Sequence, residues 1–316
     1  MIWFATRRLL ALVPILFGVA VVTFALLLLT PGSPADILLP PDTPQEAKRL
    51  FEAEYHLHDN VFARFAAWLW HALRGDFGDS IASTGYTAWS VVSTGLVNTL
   101  QLAAGGAIIA VIVGVGLGIA TAWWANSAFD RIAKVVIVAF VSMPGFWIGI
   151  VFVYLFALKL HWLPTSGMGP IEGGGGFGQT LRYMVMPAVT VAILPAALIS
   201  RLTRALFLEV TRQEFVLALR TRGYSTLRIW RHVLRNAAPG VLNITGLQLG
   251  YLILGTLFVE VVFAWPGIGV VLQRSINFRD YPVIQLTILA TGVLFSLITL
   301  TVDLLMRALD PRAEGS

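Results

Sequence analysis

From Ile81 to Phe129 the chain carries no charged residue, and further stretches almost as apolar recur from one end to the other. A helix rises about 1.5 Å per residue, so about 20 apolar residues cross a hydrocarbon core about 30 Å thick. Candidate spans fall at Leu9 to Thr30, about Val97 to Trp124, Val135 to Leu158, Tyr183 to Ser200, about Gly240 to Phe263 and about Pro282 to Arg307. Residues from Ile81 to about Gly95 are surplus to the second span and are expected to lie at the interface. With 57% hydrophobic and 12% charged residues and a mean hydropathy of +0.79, the 316-residue chain is not expected to form soluble domains. The expectation is an all-α polytopic membrane protein with six transmembrane helices, because backbone polar groups in lipid must be satisfied within the span.

A signal peptide shares the basic flank Arg7–Arg8, but its apolar core is only about 7–15 residues long. Leu9 to Thr30 is longer and reads as an uncleaved first helix. Pro31 to about Tyr86 is the extended soluble-looking region, with eight acidic and four basic residues. Within it Gln45 to Tyr55 is helical in character, and Phe62 to Leu73 is an amphipathic helix suited to a membrane surface. In the second span Gly105, Gly106, Gly114, Gly116 and Gly118 permit close helix approach. The third is broken by Ser142-Met143-Pro144-Gly145-Phe146-Trp147, either a packing kink or a break lining a pathway. The fourth is interrupted by Pro187 and Pro195.

Between the fourth and fifth spans lies Gln213 to Pro239, an arginine-rich insert. Gly223 is a natural helix C-cap and Ser225 a natural N-cap, so two short helices hinged at Gly223-Tyr224-Ser225 are expected. On the second, Leu227, Trp230 and Leu234 form an apolar stripe beside Arg228, Arg231 and Arg235, and Pro239 opens the next helix. Basic-residue asymmetry sets the orientation. With the N-terminus inside, 14 of 22 basic residues share one side, eight of them between Arg201 and Arg235. Both termini and the insert are then cytoplasmic. Headgroup attraction accounts for some of these arginines. The apolar stripe and glycine hinge favour insertion into a protein groove.

Catalytic constellations are nearly absent. There is no cysteine, no Walker lysine and no Gly-Lys dipeptide after Gly173 to Gly176, so the chain supplies no ATP hydrolysis of its own. Glu54, His56, His58 and Asp59 cluster in the long loop, where a solvated loop competes with a metal site. Glu260 is either a gate or pathway contact or a structural partner of a loop group, and Asp303 pairs with Arg307 one turn on.

Ala218, Gly223 five positions later, and a helix ending His232-Val233-Leu234-Arg235-Asn236-Ala237 before Pro239 resemble the cytoplasmic coupling loop of ABC-importer permeases. The ending resembles the dipeptide, oligopeptide and nickel branch, B-type subunit. LLLLTPGSP, AEYHLHD, WLWHALRGDFGDS, VEVVFAWPGIG, RDYPVIQ and VDLLMRALDPR extend the likeness over nearly the whole chain. The loop signature departs in one place: where the family has Glu-Ala-Ala, this chain has Leu217, Ala218 and Leu219, with Glu214 three residues early.

The resemblance implies a type I importer permease fold, with residues 1–95 an N-terminal helix and periplasmic region, 96–309 the transmembrane domain with a coupling loop at about 207–238, and 310–316 a cytoplasmic tail. It implies a bacterial inner-membrane, non-catalytic subunit importing di- or oligopeptides by alternating access. The implied partners are a second homologous permease in a heterodimer, two cytoplasmic ATPases that use ATP and Mg, an extracytoplasmic binding protein and membrane lipids, with no nucleic acid. The chain itself is expected to bind no cofactor and no metal. ATPase-coupling contacts are expected at Glu214, Phe215, Ala218, Leu219, Arg222, Gly223, Arg231 and Asn236, and pathway contacts at Pro144, Phe146, Trp147 and Glu260. Nickel, glutathione or a sugar is the alternative cargo. A secondary transporter is more distant, because no repeat or half-helix pair is evident, and a membrane enzyme lacks its polar constellation.

Overall fold

The computed structural model describes residues 2–29, 33–54, 60–170 and 176–309, apart from the side chains of 2–9, 26, 27, 54, 303 and 305–309. Twelve helices account for almost all of it: α1 Ile2–Leu29, α2 Ala35–Leu38, α3 Gln45–Glu54, α4 Val61–Leu73, α5 Ala88–Trp123, α6 Ala128–Ser142, α7 Gly145–Phe152, α8 Phe177–Thr211, α9 Glu214–Thr221, α10 Thr226–Val262, α11 Ile268–Phe278 and α12 Tyr281–Leu309. No strand occurs among the described residues, only an isolated bridge between Asp79 and Thr87. Among the described residues four helices, α5, α8, α10 and α12, are long and apolar enough to cross a membrane, and α6 with α7 makes up to a fifth. In α1 the described apolar stretch is Leu10–Ala25.

Two compact units are present. The first comprises residues 1–6, 100–265 and 295–316. Its centre is the packing of α8 against α10, with α6 and α7 also against α8. The glycines of α5 explain its approach to α8. A Cβ on Gly114 would meet Ile199 Cβ at 2.9 Å, and one on Gly118 would meet Thr203 Cβ at 2.6 Å and the Ser200 carbonyl oxygen at 2.8 Å. Gly116, on another face of the same helix, meets nothing within 4 Å. The second unit comprises residues 7–99 and 266–294. In it Phe65 of α4 packs edge-on against Phe24 of α1 at 5.2 Å, while Phe62, Trp70 and Leu73 stay exposed, the division required of an interfacial amphipathic helix.

Three boundaries differ from the sequence expectations. The helix through Pro187 and Pro195 is uninterrupted and runs on through Arg201 and Arg204 to Thr211. Pro239 does not open a helix: it lies inside α10, which joins the second half of the arginine-rich insert to the following span as one rod. A proline forfeits one N–H and crowds one carbonyl, and neighbouring helices and side chains can make good that loss. The segment before Gly95 is already helical from Ala88, so the second span starts earlier. The pair Asp303–Arg307 and the cluster Glu54, His56, His58 and Asp59 lie outside the described side chains.

Candidate functional site

The arginine-rich insert is built as a helix, a left-handed turn and a longer helix. α8 stops at Thr211, and Gln213, extended at φ −70° and ψ 151°, starts α9. α9 ends in a paired-bond cap: Tyr224 N–H donates to the Leu219 carbonyl at 3.1 Å and Gly223 N–H to the Arg220 carbonyl at 3.0 Å. These are the 6→1 and 5→2 bonds of a Schellman motif, with Gly223 at φ +75° in the left-handed position. Space is not the reason for glycine here, since a Cβ would meet nothing within 4 Å; the backbone angle is. Ser225 occupies the N-cap position of α10 with extended backbone.

The faces of α9 divide cleanly. Val216 is buried, and Phe215 and Leu219 pack half-buried onto a core of Phe207, Val210, Ile229, Val233, Ala237 and Val241. Glu214, Leu217, Ala218, Thr221 and Arg222 are exposed. Of the coupling residues expected from the sequence, Glu214, Ala218, Arg222 and Gly223 therefore share the open surface, while Phe215 and Leu219 anchor the helix from beneath. Leu217, 64% exposed, completes the outer face. In the sequence it stood out only as a departure from the family signature; its place two residues from both Phe215 and Leu219, on the opposite side of the helix, was the available signal. Arg231 and Asn236 sit on α10 instead, both exposed, and the Asn236 amide donates back to the His232 carbonyl at 2.9 Å.

The apolar stripe on α10 differs from expectation. Leu227 is 75% and Leu234 48% exposed, whereas Ile229, Val233, Ala237 and Val241 are buried. Both sets repeat at helical spacing, and the buried one is continuous with the apolar span that follows. Trp230 lies between them, 5.8 Å from Phe207 and 4.5 Å from Trp123, ring centroid to centroid.

A buried ion pair braces the stem of this loop. Asp130 is fully buried, just before the apolar run that begins at Val135. Arg204 of α8 grips it through two bonds, Nε to Oδ1 and Nη2 to Oδ2, both 2.8 Å. Lys134 approaches Oδ2 at 3.0 Å and Asn126 N–H donates to it at 2.9 Å. The Arg204 hydrogen bonds hold the Asp130 carboxyl well below the usual carboxylate range, against the opposing cost of burial. Asp130 falls between two candidate spans and Arg204 just past the end of another, and neither stood out in the sequence. A lone acid among cations, four residues after Asn126, was the signal.

The second region is the break in the third span. Met143 and Pro144 are extended, which ends α6, and α7 restarts at Gly145 bent by 104°. A proline disfavours helical backbone in the residue before it, so Pro144 sets the stop at Met143. α7 then passes into a π-helical stretch, Val153–Lys159. Beside the break lies a cavity of about 180 Å³ lined by Gly145, Phe146, Thr190, Leu194, Gln248 and Tyr251 among others. Of the four pathway residues expected, Phe146 reaches this cavity. Pro144 forms the stop, Trp147 is 46% exposed, and Glu260 is fully buried in the last turn of α10, none of them in the cavity wall.

Residues 114–315 match the family of binding-protein-dependent transport system inner membrane components. The chain belongs to that family. The permease is also 35% identical, over 99% of its length and 100% of the relative's, to the dipeptide transport system permease protein of Alkalihalophilus pseudofirmus. It is 35% identical, over 98% of both chains, to the glutathione transport system permease protein of Escherichia coli K12. Its fold matches a chain of the inward-facing MetNI methionine ABC transporter with a TM-score of 0.57 at 18% identity, covering 70% of this chain and 96% of that one. The permease is thus an ABC-importer membrane subunit with the type I fold, of the branch its loop resembled.

Proposed function

We propose that this permease carries peptides inward across the bacterial cytoplasmic membrane, with residues 1–95 an N-terminal helix and an appended periplasmic region, 96–309 the transporter domain and 310–316 a cytoplasmic tail. Both termini and α9 face the cytoplasm. It pairs with a second homologous permease, two ATPases that bind ATP and Mg, and a binding protein that presents the cargo. The observation that carries the coupling half of this reading is the exposed face Glu214, Leu217, Ala218, Arg222 on a short helix fixed from below by Val216 and capped by Gly223. Such a helix fits a groove in each ATPase, and closure of the ATPases moves it as a lever. α8 and α10 carry the motion into the spans, which alternate between inward-open and outward-open states.

Peptide cargo follows from the two relatives, one named for dipeptides and one for glutathione, itself a tripeptide. Uptake assays with labelled dipeptides and glutathione in competition decide between them. The coupling test is Gly223→Pro together with Ala218→Trp. Transport and substrate-stimulated ATP hydrolysis should fall together; if both survive, the lever reading is wrong. Purification from native membrane, with mass spectrometry of what accompanies the chain, should return two ATPase copies and a second permease.

A further inference from the structure

A groove of about 420 Å³ opens beside the start of α10, lined by Ile119, Trp123, Phe207, Leu227, Trp230 and Leu234 together with Arg228 and Arg231. The proposed coupling face on α9 contributes nothing to it. Its walls are more apolar than an aqueous surface tolerates without a reason: Trp123 is 41%, Leu227 75% and Leu234 48% exposed. Yet two guanidinium groups three residues apart stand on the same stretch of helix. Trp123 also ends α5, which lies within the longest uncharged run of the chain, and tryptophan at the end of an apolar helix marks the headgroup level. An apolar wall, an interfacial tryptophan and paired cations in one groove together match one kind of molecule, with a hydrocarbon tail and an anionic head.

We propose that this groove binds a single anionic phospholipid. Its acyl chain lies along Ile119, Trp123, Leu227 and Leu234, and its phosphate sits between Arg228 and Arg231. The first-turn N–H groups of α10, at Thr226, Leu227 and Arg228, add their partial positive charge to the same end. Trp230, stacked on Phe207 and in tilted contact with Trp123, gives the groove a packed aromatic floor, so little ordering is left for the lipid to impose. Occupancy by such a lipid ties the lower end of α10 to the bilayer, which sets how freely the α9–α10 hinge moves. The site goes beyond the importer reading and does not depend on which solute is carried.

Trp123 and Trp230 report on the groove directly. The intact transport complex, ATPases included, is reconstituted into phosphatidylcholine vesicles containing either brominated phosphatidylglycerol or brominated phosphatidylcholine at equal mole fraction, and tryptophan quenching is compared. Excess quenching by the anionic lipid is expected. It should fall in Trp123→Phe, where Trp230 alone still reports on the groove, and persist in Arg228→Lys. In Arg228→Gln the preference for phosphatidylglycerol should drop about fivefold, as one arginine near an anionic surface contributes. Equal quenching by the two lipids overturns the proposal, as does an excess that Arg228→Gln leaves unchanged. Absence of the Trp123 component in the assembled complex, with its return on removing the ATPases, also overturns it and assigns the groove to protein. Transport plays no part in the readout, so a wrong cargo or coupling assignment leaves the outcome interpretable.

Discussion

Replacing Gly118 by alanine puts a methyl group into a place already taken. The added carbon would lie 2.6 Å from Thr203 Cβ and 2.8 Å from the Ser200 carbonyl oxygen, against 3.4–4 Å for ordinary contact. The nearest obstacles are a Cβ and a backbone oxygen, neither of which can swing aside as a side-chain tip could, so α5 and α8 must separate by several tenths of an ångström. Overpacking of this kind costs about 1–3 kcal/mol. Alanine returns up to about 1 kcal/mol as the better helix former. Gly116→Ala, two residues away in the same helix and with nothing within 4 Å, keeps only the gain. The two variants should therefore differ by about 1–3 kcal/mol, or about 2–5 °C in unfolding midpoint at about 1.5 °C per kcal/mol for a chain of this size. Thermal unfolding followed by tryptophan fluorescence in one detergent measures it. A Gly118→Ala midpoint equal to or above that of Gly116→Ala would refute the close-approach argument.

Asp130→Ala strands Arg204 with no carboxylate and should cost about 3 kcal/mol, seen as a lower midpoint and weaker coupling between transport and ATP hydrolysis. Because the folded Asp130 carboxyl is depressed, its contribution is complete above the ordinary aspartate range near pH ~4 and is lost as pH falls below it. The wild-type midpoint should decline on acidification more steeply than that of Asp130→Asn. Gly223→Ala, forced to φ +75°, should destabilise the α9 cap by about 1 kcal/mol and raise hydrogen exchange at the Gly223 and Tyr224 amides. In the second unit, Asp280 accepts hydrogen bonds from the Ser80 hydroxyl and from the Ile81 and Ala82 amides, the latter both at 3.2 Å. Asp280→Ala should therefore speed exchange at Ile81 and Ala82 by at least tenfold, equivalent to about 1.4 kcal/mol of lost protection.

Membrane character, helix class and the glycine-capped loop were legible because each rests on local chemistry. Gly223 had to be glycine for a reason confined to its own φ, and span-length apolar runs admit few structures besides helices. What escaped was decided by distant neighbours. Leu227 and Leu234 form as good a stripe as Ile229 and Val233; only the core of Phe207 and Val210 reveals which one is covered. Pro239 and Pro195 look like breaks until packing shows helices carried through them. Asp130 and Arg204 stand in different helices, and nothing in their immediate surroundings announces the bond. The surface of α9 was half legible: its exposed and its anchoring residues were named together, and burial separates them.

The second unit joins parts of the chain made far apart in time. Asn98 donates to the Pro266 carbonyl across 168 positions, the Thr99 hydroxyl accepts from Ile268 across 169, and Ser80 meets Asp280 across 200. At synthesis rates of about 5–20 residues per second, the early members of these pairs wait some 10–40 s for their partners. Until residue 280 leaves the ribosome, the amides of Ile81 and Ala82 lack the carboxylate that receives them, and the long first loop has no fixed end. Maturation of this permease is therefore timed by its last helices, and a nascent chain released before them presents an unlatched loop to membrane proteases.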